Sequence, residues 1–295
     1  MFGHYLFEDN DFHLPRLFPT DGASQKLRAQ NLLVGWTHLF GSTTLNEFRI
    51  GYNRFRENEF QARAGKENVV QELGMQGLCE NPKCWGIPQM SVTGYASFGE
   101  HGGQNVSGPR GWRNEVYSFS DSFFKTMGAH NIKAGMAVDR HRDTIPEAID
   151  PRGAFTYNGF LTGNAFADYL LGCPRTTLTS IDIFDPHLRN TVLAPWVHDD
   201  WRISKTLTIN LGLRYEWFGR PISDDGSIAS VEFNNGTAAL FTGRDPGNLP
   251  RSLIYNDNKD FGPRIGFAWN PRFGAGKTVF RGAYDIFYQR ELANT

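Results

Sequence analysis

Residues 206–218, TLTINLGLRYEWF, alternate between two kinds of side chain. Leu207, Ile209, Leu211, Leu213, Tyr215 and Trp217 form one series, and Thr208, Asn210, Gly212, Arg214 and Glu216 the other. Successive Cβ atoms of a strand point to opposite sides, so the pattern predicts a strand with one apolar and one polar face. The segment has the length of a tilted strand crossing a bilayer, about 9–11 residues. Arg214 and Glu216 suit a hydrated surface better than a packed core.

Weaker versions recur. Phe48, Ile50 and Tyr52 alternate with Glu47, Arg49, Gly51 and Asn53 in residues 44–56, and Leu32, Val34 and Trp36 oppose Leu33, Gly35 and Thr37 in 29–40. Tyr117, Phe119 and Phe123 oppose Ser118, Ser120 and Ser122 in 113–125, and Ile132, Ala134, Met136 and Val138 oppose Lys133, Gly135, Ala137 and Asp139 in 130–142. Residues 189–203, 262–270 and 277–289 add further strands. Short links (Gly41-Ser42, Met127-Gly128-Ala129, Ser204-Lys205 and PRFGAGK) join them in pairs, which predicts antiparallel hairpins. Long polar stretches at 57–111, 143–188 and 219–260 separate the pairs. Short turns at one end and long loops at the other are the plan of an antiparallel transmembrane β-barrel, and a compact soluble domain rarely holds three loops of that size. The expected fold class is all-β: an incomplete barrel of roughly ten strands with long extracellular loops, residues 1–295 forming one partial barrel domain. Helix is expected at 162–171, with Thr162 as N-cap.

Composition sharpens this picture. Only 40% of residues are apolar, yet 24 Phe, 10 Tyr and 7 Trp are present. So many rings in so polar a chain fit a wall in which every second residue faces lipid. The net charge of −1 gives no reason to expect nucleic acid. No stretch reaches the ~20 apolar residues of a membrane-spanning helix. The start, MFGHYLFEDND, has no basic n-region or apolar h-region, so it does not read as a signal peptide. A barrel protein needs export, and the expectation is therefore an internal fragment of a longer chain.

Candidate chemistry is sparse. Cys79 and Cys84 frame CENPKC, which suits a small disulfide or two free thiols better than half a zinc site, because no second pair completes the ligand set. Cys173 is left over. FGAGKT at 273–278 has Pro271 where a phosphate loop needs glycine, and reads as a hairpin turn. His198 and Asp200 share a strand face that Asp199 cannot join, and Trp196 lies on that face too, which suggests an interfacial pair rather than a catalytic one. His141 and Asp143 invite the same solvated reading. Glu8, Asp9, Asn10 and Asp11 lack calcium-loop spacing and read as an acidic loop, and Asn235-Gly236-Thr237 carries no meaning outside a secretory pathway that glycosylates. No metal site, cofactor or enzymatic activity is expected. Arg49, Asn53, Asn210, Arg214 and Glu216 are the lumen-facing candidates. Trp36, Trp112, Trp196, Trp201, Trp217 and Trp269 are candidates for an aromatic girdle at the lipid headgroups.

WVHDDWRISKTLTINLGLRYEWFGRP resembles a hairpin of TonB-dependent, Oar-like outer-membrane receptors, in which a strand ending in DDWR turns into one reading LTLNLGLRYE. GPRIGFAWNPRFGAGKTVFRGAYDIFYQ resembles the hairpin that follows, and TGNAFADYLLG and THLFGSTTLNEFRIGYNR also fit. The resemblance implies the cell outer membrane of a Gram-negative bacterium, with outer-membrane lipid around the wall. It further implies uptake of a bulky ligand (glycan, peptide or siderophore-like), driven by the TonB energy-transducing complex acting through a plug. Regulatory-like domain, TonB box and plug have no counterpart here, and RELANT is not the usual terminal aromatic strand. A secreted or surface β-sandwich binding protein is the alternative. It requires strands nearer five or six residues, whereas residues 206–217 alternate throughout.

Overall fold

A computed structural model of the chain describes residues 1–15, 22–99, 110–144, 150–180, 185–234, 237–271 and 277–289. In chain order the elements begin with β1 (Phe2–Leu14), β2 (Ala23–Leu39), β3 (Thr44–Gln61), α1 (Val69–Glu72), β4 (Gln89–Val92), β5 (Arg110–Met127) and β6 (His130–Thr144). There follow β7 (Ala154–Tyr157), α2 (Ala165–Leu170), β8 (Thr176–Leu178), β9 (His187–Arg202), β10 (Leu207–Tyr215), β11 (Trp217–Phe218) and β12 (Ile222–Ser223). The last are β13 (Ala229–Asn234), β14 (Thr237–Thr242), β15 (Phe261–Trp269) and β16 (Phe280–Asp285). Turn residues 272–276, Asn235-Gly236 and the 290–295 segment of RELANT lie outside the described residues.

One 11-stranded sheet dominates, ordered β1-β2-β3-β5-β6-β9-β10-β15-β16, with β11 and β12 also pairing β9. Every pair in it is antiparallel. β1 and β16 are its two edges and do not pair with each other. The all-β antiparallel wall expected from the alternation is therefore present as an open sheet.

The register sorts side chains into two faces. Trp217, Leu193, Val138, Phe119, Ile50 and Val34 are successive cross-strand partners, so one apolar row crosses six strands. Arg214, Trp196, Gly135, Ser122 and Glu47 form a row on the opposite face. Along the first face Trp36, Ile50, Phe123, Met136, Val197, Leu211, Ile265 and Phe267 all remain exposed. A sheet in water would cover such a band; a sheet in a bilayer presents it to lipid.

Several local expectations are corrected. Glu8, Asp9, Asn10 and Asp11 are not a loop but part of β1, where Asp9 pairs Arg28 at 2.6 Å and Asp11 pairs Lys26 at 3.5 Å across to β2. The helix in 162–171 is capped by Asn164, whose side chain accepts from Phe166 N and Ala167 N; the Thr162 hydroxyl is committed to the Asp168 carboxylate at 2.7 Å. The 219–260 stretch holds the hairpin β13–β14, and the last strand is shorter than 277–289.

The long connections between β3 and β5 and between β6 and β9 fold against each other. β4 pairs β7 in parallel, and β8 closes this small sheet. Met90, Val92, Phe155 and Tyr157 form its buried core, with Met75, Leu78, Phe98, Ala165 and Tyr169 packed on it. Arg152, 1% exposed, fastens this cap to the wall: its guanidinium donates to the carbonyls of Cys84 and Trp85 at 2.8 and 3.0 Å and reaches Gln61 at the end of β3. Cys79 and Cys84 are joined as a disulfide within the same cap, and Cys173 is free.

Candidate functional site: the polar face of the wall

The polar face is densest where β6, β9, β10, β15 and β16 meet. Asp200 on β9 accepts from Lys133 Nζ at 2.9 Å, from His198 Nε2 at 2.8 Å and from Asn210 Nδ2. These groups converge because Asn210 and Asp200 are direct partners, as are Lys133 and His198, and all four side chains share a face. Arg214 Nε donates to Glu216 at 2.9 Å two steps along the same face, past Gly212. Between them the wall is floored by glycine. A Cβ on Gly212 would stand 2.9 Å from His198 Nδ1, and one on Gly135 would stand 2.9 Å from the Trp196 ring. Bare backbone at these points lets the imidazole and indole lie flat on the sheet.

A cleft of about 650 Å³ adjoins this network, lined by His198, Asn210, Arg264, Arg281 and Asp285 over Gly266, Ala268 and Ala283. Arg264 and Asp285 are register partners, and the Arg264 guanidinium lies 4.8 Å over the Phe287 ring. The arrangement offers cations, a carboxylate, an imidazole and an amide to whatever meets the polar face. It can bind polar or anionic groups.

All five lumen candidates fall on this face, but not together. Asn210 joins the Asp200 network and Arg214 pairs Glu216 beside it, whereas Arg49 pairs Glu47 at 3.2 Å on β3 and Asn53 stands exposed further along. Of the girdle candidates, Trp36, Trp201, Trp217 and Trp269 lie on the apolar face by register. Trp112 partners Glu57 and Trp196 partners Gly135, which puts both on the polar face. Lys133, Arg264, Arg281 and Asp285 were not singled out from the sequence. Lys133 was legible as the polar neighbour of Ile132, but its approach to Asp200 depends on pairing across 67 residues. His198 and Asp200, read as an interfacial pair, form the centre of the network.

The whole chain, residues 1–295, matches the family model described as the outer membrane beta barrel domain. The chain belongs to that family. Its place is therefore the outer membrane, and the two-faced sheet is barrel wall. Among solved structures it is similar to the outer membrane transporter YddB from Escherichia coli, at 10% identity and a TM-score of 0.44. That match covers 96% of this chain and 28% of the transporter, so the chain spans less than a third of that protein's length. No curated protein matches the chain.

Proposed function

We propose that this chain is a lumen-lining segment of a TonB-dependent, Oar-like receptor that takes up a bulky ligand (glycan, peptide or siderophore-like). The observation that carries the reading is the segregation of side chains: one face is mostly apolar, with Asp121 on it satisfied by Asn46 at 2.9 Å, and hydrogen-bonded polar groups and a cleft occupy the other. Such a wall separates lipid from a wet passage, and its chemistry is that of binding rather than catalysis. The TonB energy-transducing complex would act through a plug supplied by the parent protein. The free edges at β1 and β16 support a larger barrel, because unpaired backbone groups in hydrocarbon cost several kcal/mol each. Further strands of the parent barrel would pair both.

The test is an immunoblot of the native outer-membrane fraction against residues 219–260, with and without boiling. The proposal predicts a band far above 33.3 kDa whose mobility shifts on heating. A soluble 33.3 kDa band indifferent to heat would contradict it and favour the secreted β-sandwich.

A further inference from the structure

The apolar face ends in a belt of rings at the end of the long connections. Tyr52 and Tyr117 are cross-strand partners 5.0 Å apart, and Tyr215 and Phe261 are partners 4.7 Å apart. Beyond this belt the same outward face changes character. Arg28, Arg56 and Arg113 are direct partners across β2, β3 and β5, and Arg142 directly opposes Arg189 across β6 and β9. Like charges placed opposite one another on a sheet destabilise it. Asp9 answers Arg28 and Asp224 answers Arg189, whereas Arg56, Arg113 and Arg142 make no ion pair among the described residues: Glu115, the register partner of Arg142, is taken by Arg54 at 3.5 Å. All three are exposed. Arg113 reaches only the Thr144 hydroxyl at 3.4 Å, and Arg142 lies 5.3 Å over the Tyr117 ring. A cleft of about 600 Å³ opens beside Arg56, lined also by Lys26, Arg28, Arg54 and Lys66 together with Asp9.

Height decides what meets these charges. Arg56 is four residues past Tyr52, about 13 Å along the strand and about 9 Å along the membrane normal at the usual tilt. The polar layer on each side of a bilayer is about 5–8 Å thick, so the arginines lie within and just above the headgroups. Long connections mark the external end of such barrels, which makes this the outer leaflet. We propose that Arg56, Arg113 and Arg142, with the adjoining cleft, bind the phosphate groups of an outer-leaflet lipid. Guanidinium forks match phosphate oxygens, and a bound phosphate would relieve the opposed positive charges. This rests on the wall spanning the outer membrane and is independent of what the lumen carries.

The test uses the full-length protein, purified in nonionic detergent, stripped of lipid and titrated with bisphosphorylated lipid A. Retention of the lipid on gel filtration is compared for wild type, R56Q/R113Q/R142Q, and R49Q/R281Q on the opposite face as a control for charge removal. The proposal predicts at least about tenfold weaker retention for the triple variant, the loss of one or more charge-assisted hydrogen bonds, and unchanged retention for the control. Equal retention in all three proteins overturns it, as does an equal loss in the control. Inorganic phosphate displacing the lipid at equimolar concentration would also overturn it, assigning the patch to free ions. If the triple variant lacks the heat-shifted band, each single glutamine variant is scored in the same way. A heat-shifted barrel that ignores these changes refutes the lipid site while leaving the transport reading standing.

Discussion

The Trp196 indole lies over Gly135, its direct partner on the neighbouring strand, so closely that a Cβ there would stand 2.9 Å from the ring and 2.5 Å from the Asp121 carbonyl. Neither neighbour yields freely, since one is backbone and the other a rigid ring. Gly135→Ala is predicted to destabilise the folded wall by about 1–3 kcal/mol. Urea titration of the heat-shifted band reads this as a lower midpoint. An unchanged midpoint would mean the indole is not seated on the strand.

Phe119 and Ser118 are adjacent on β5 and face opposite ways, with Phe119 between Ile50 and Val138 and Ser118 between Gly51 and Asp139. Arginine at 119, one face step inside the Tyr117 belt, is predicted to cost about 1–2 kcal/mol, between the penalties for a lipid-facing cation at the midplane and at the interface. Arginine at 118 stays within about 0.5 kcal/mol of wild type. Refolding titrations into lipid vesicles would read the difference, and equal costs would place both residues in one environment.

The Cys79–Cys84 bridge closes a short loop in the external cap, with a sequence separation of 5. Removing it by Cys79→Ser/Cys84→Ser is predicted to weaken the cap locally by about 2 kcal/mol, mainly through greater freedom of the unfolded loop. Limited proteolysis of intact cells should then nick the cap sooner, while the heat-shifted barrel band stays unchanged. Loss of that band would tie the bridge to the wall instead.

Asp168 carries a fully buried carboxylate at the start of α2. Burial pushes its pKa up, but hydrogen bonds from the Thr162 hydroxyl and from backbone N–H groups, Leu161 and Thr162 among them, outweigh that and hold it below the ordinary 3.8. Asp225 is likewise held down to about 2, chiefly by the Ser223 and Ser227 side chains. A lowered folded pKa contributes stability that is complete above the unfolded value and lost as pH falls through the folded one. External proteolysis is therefore predicted to be flat from neutral pH down to about 5 and to accelerate below about 4. Asp168→Asn should remove the part of that acceleration belonging to the 162–171 loop. An acid response unchanged in this variant would contradict the assignment.

What could be read in advance followed from how pure each face is. β10 was legible because Leu207 to Tyr215 present only apolar groups on one side and Thr208 to Arg214 only polar or small ones on the other. β1 was not, because its outer half rises past the apolar band, where Asp9 and Asp11 are matched by Arg28 and Lys26 on another strand. Nothing local records that match. Trp112 and Trp196 sit beside polar residues, as girdle residues do; the alternation already set Trp196 with His198 and Asp200, and pairing with Glu57 and Gly135 puts Trp112 and Trp196 on the polar face. The cap was invisible for a further reason: Arg152 fastens to Gln61 across 91 residues, and such pairing leaves no periodic trace. The Asp200 network combined both cases, since the alternation gave its face and the strand order gave its partners.

The central claim is that one face of this sheet meets lipid and the other meets water. Single cysteines placed at each position from 207 to 215, spin-labelled in the reconstituted full-length protein, test it most directly. The account predicts collision rates that alternate with period two: oxygen-accessible at 207, 209, 211, 213 and 215, and accessible to a water-soluble nickel chelate at 208, 210, 212 and 214. Uniform access to the nickel reagent along the strand, or no alternation at all, would contradict it.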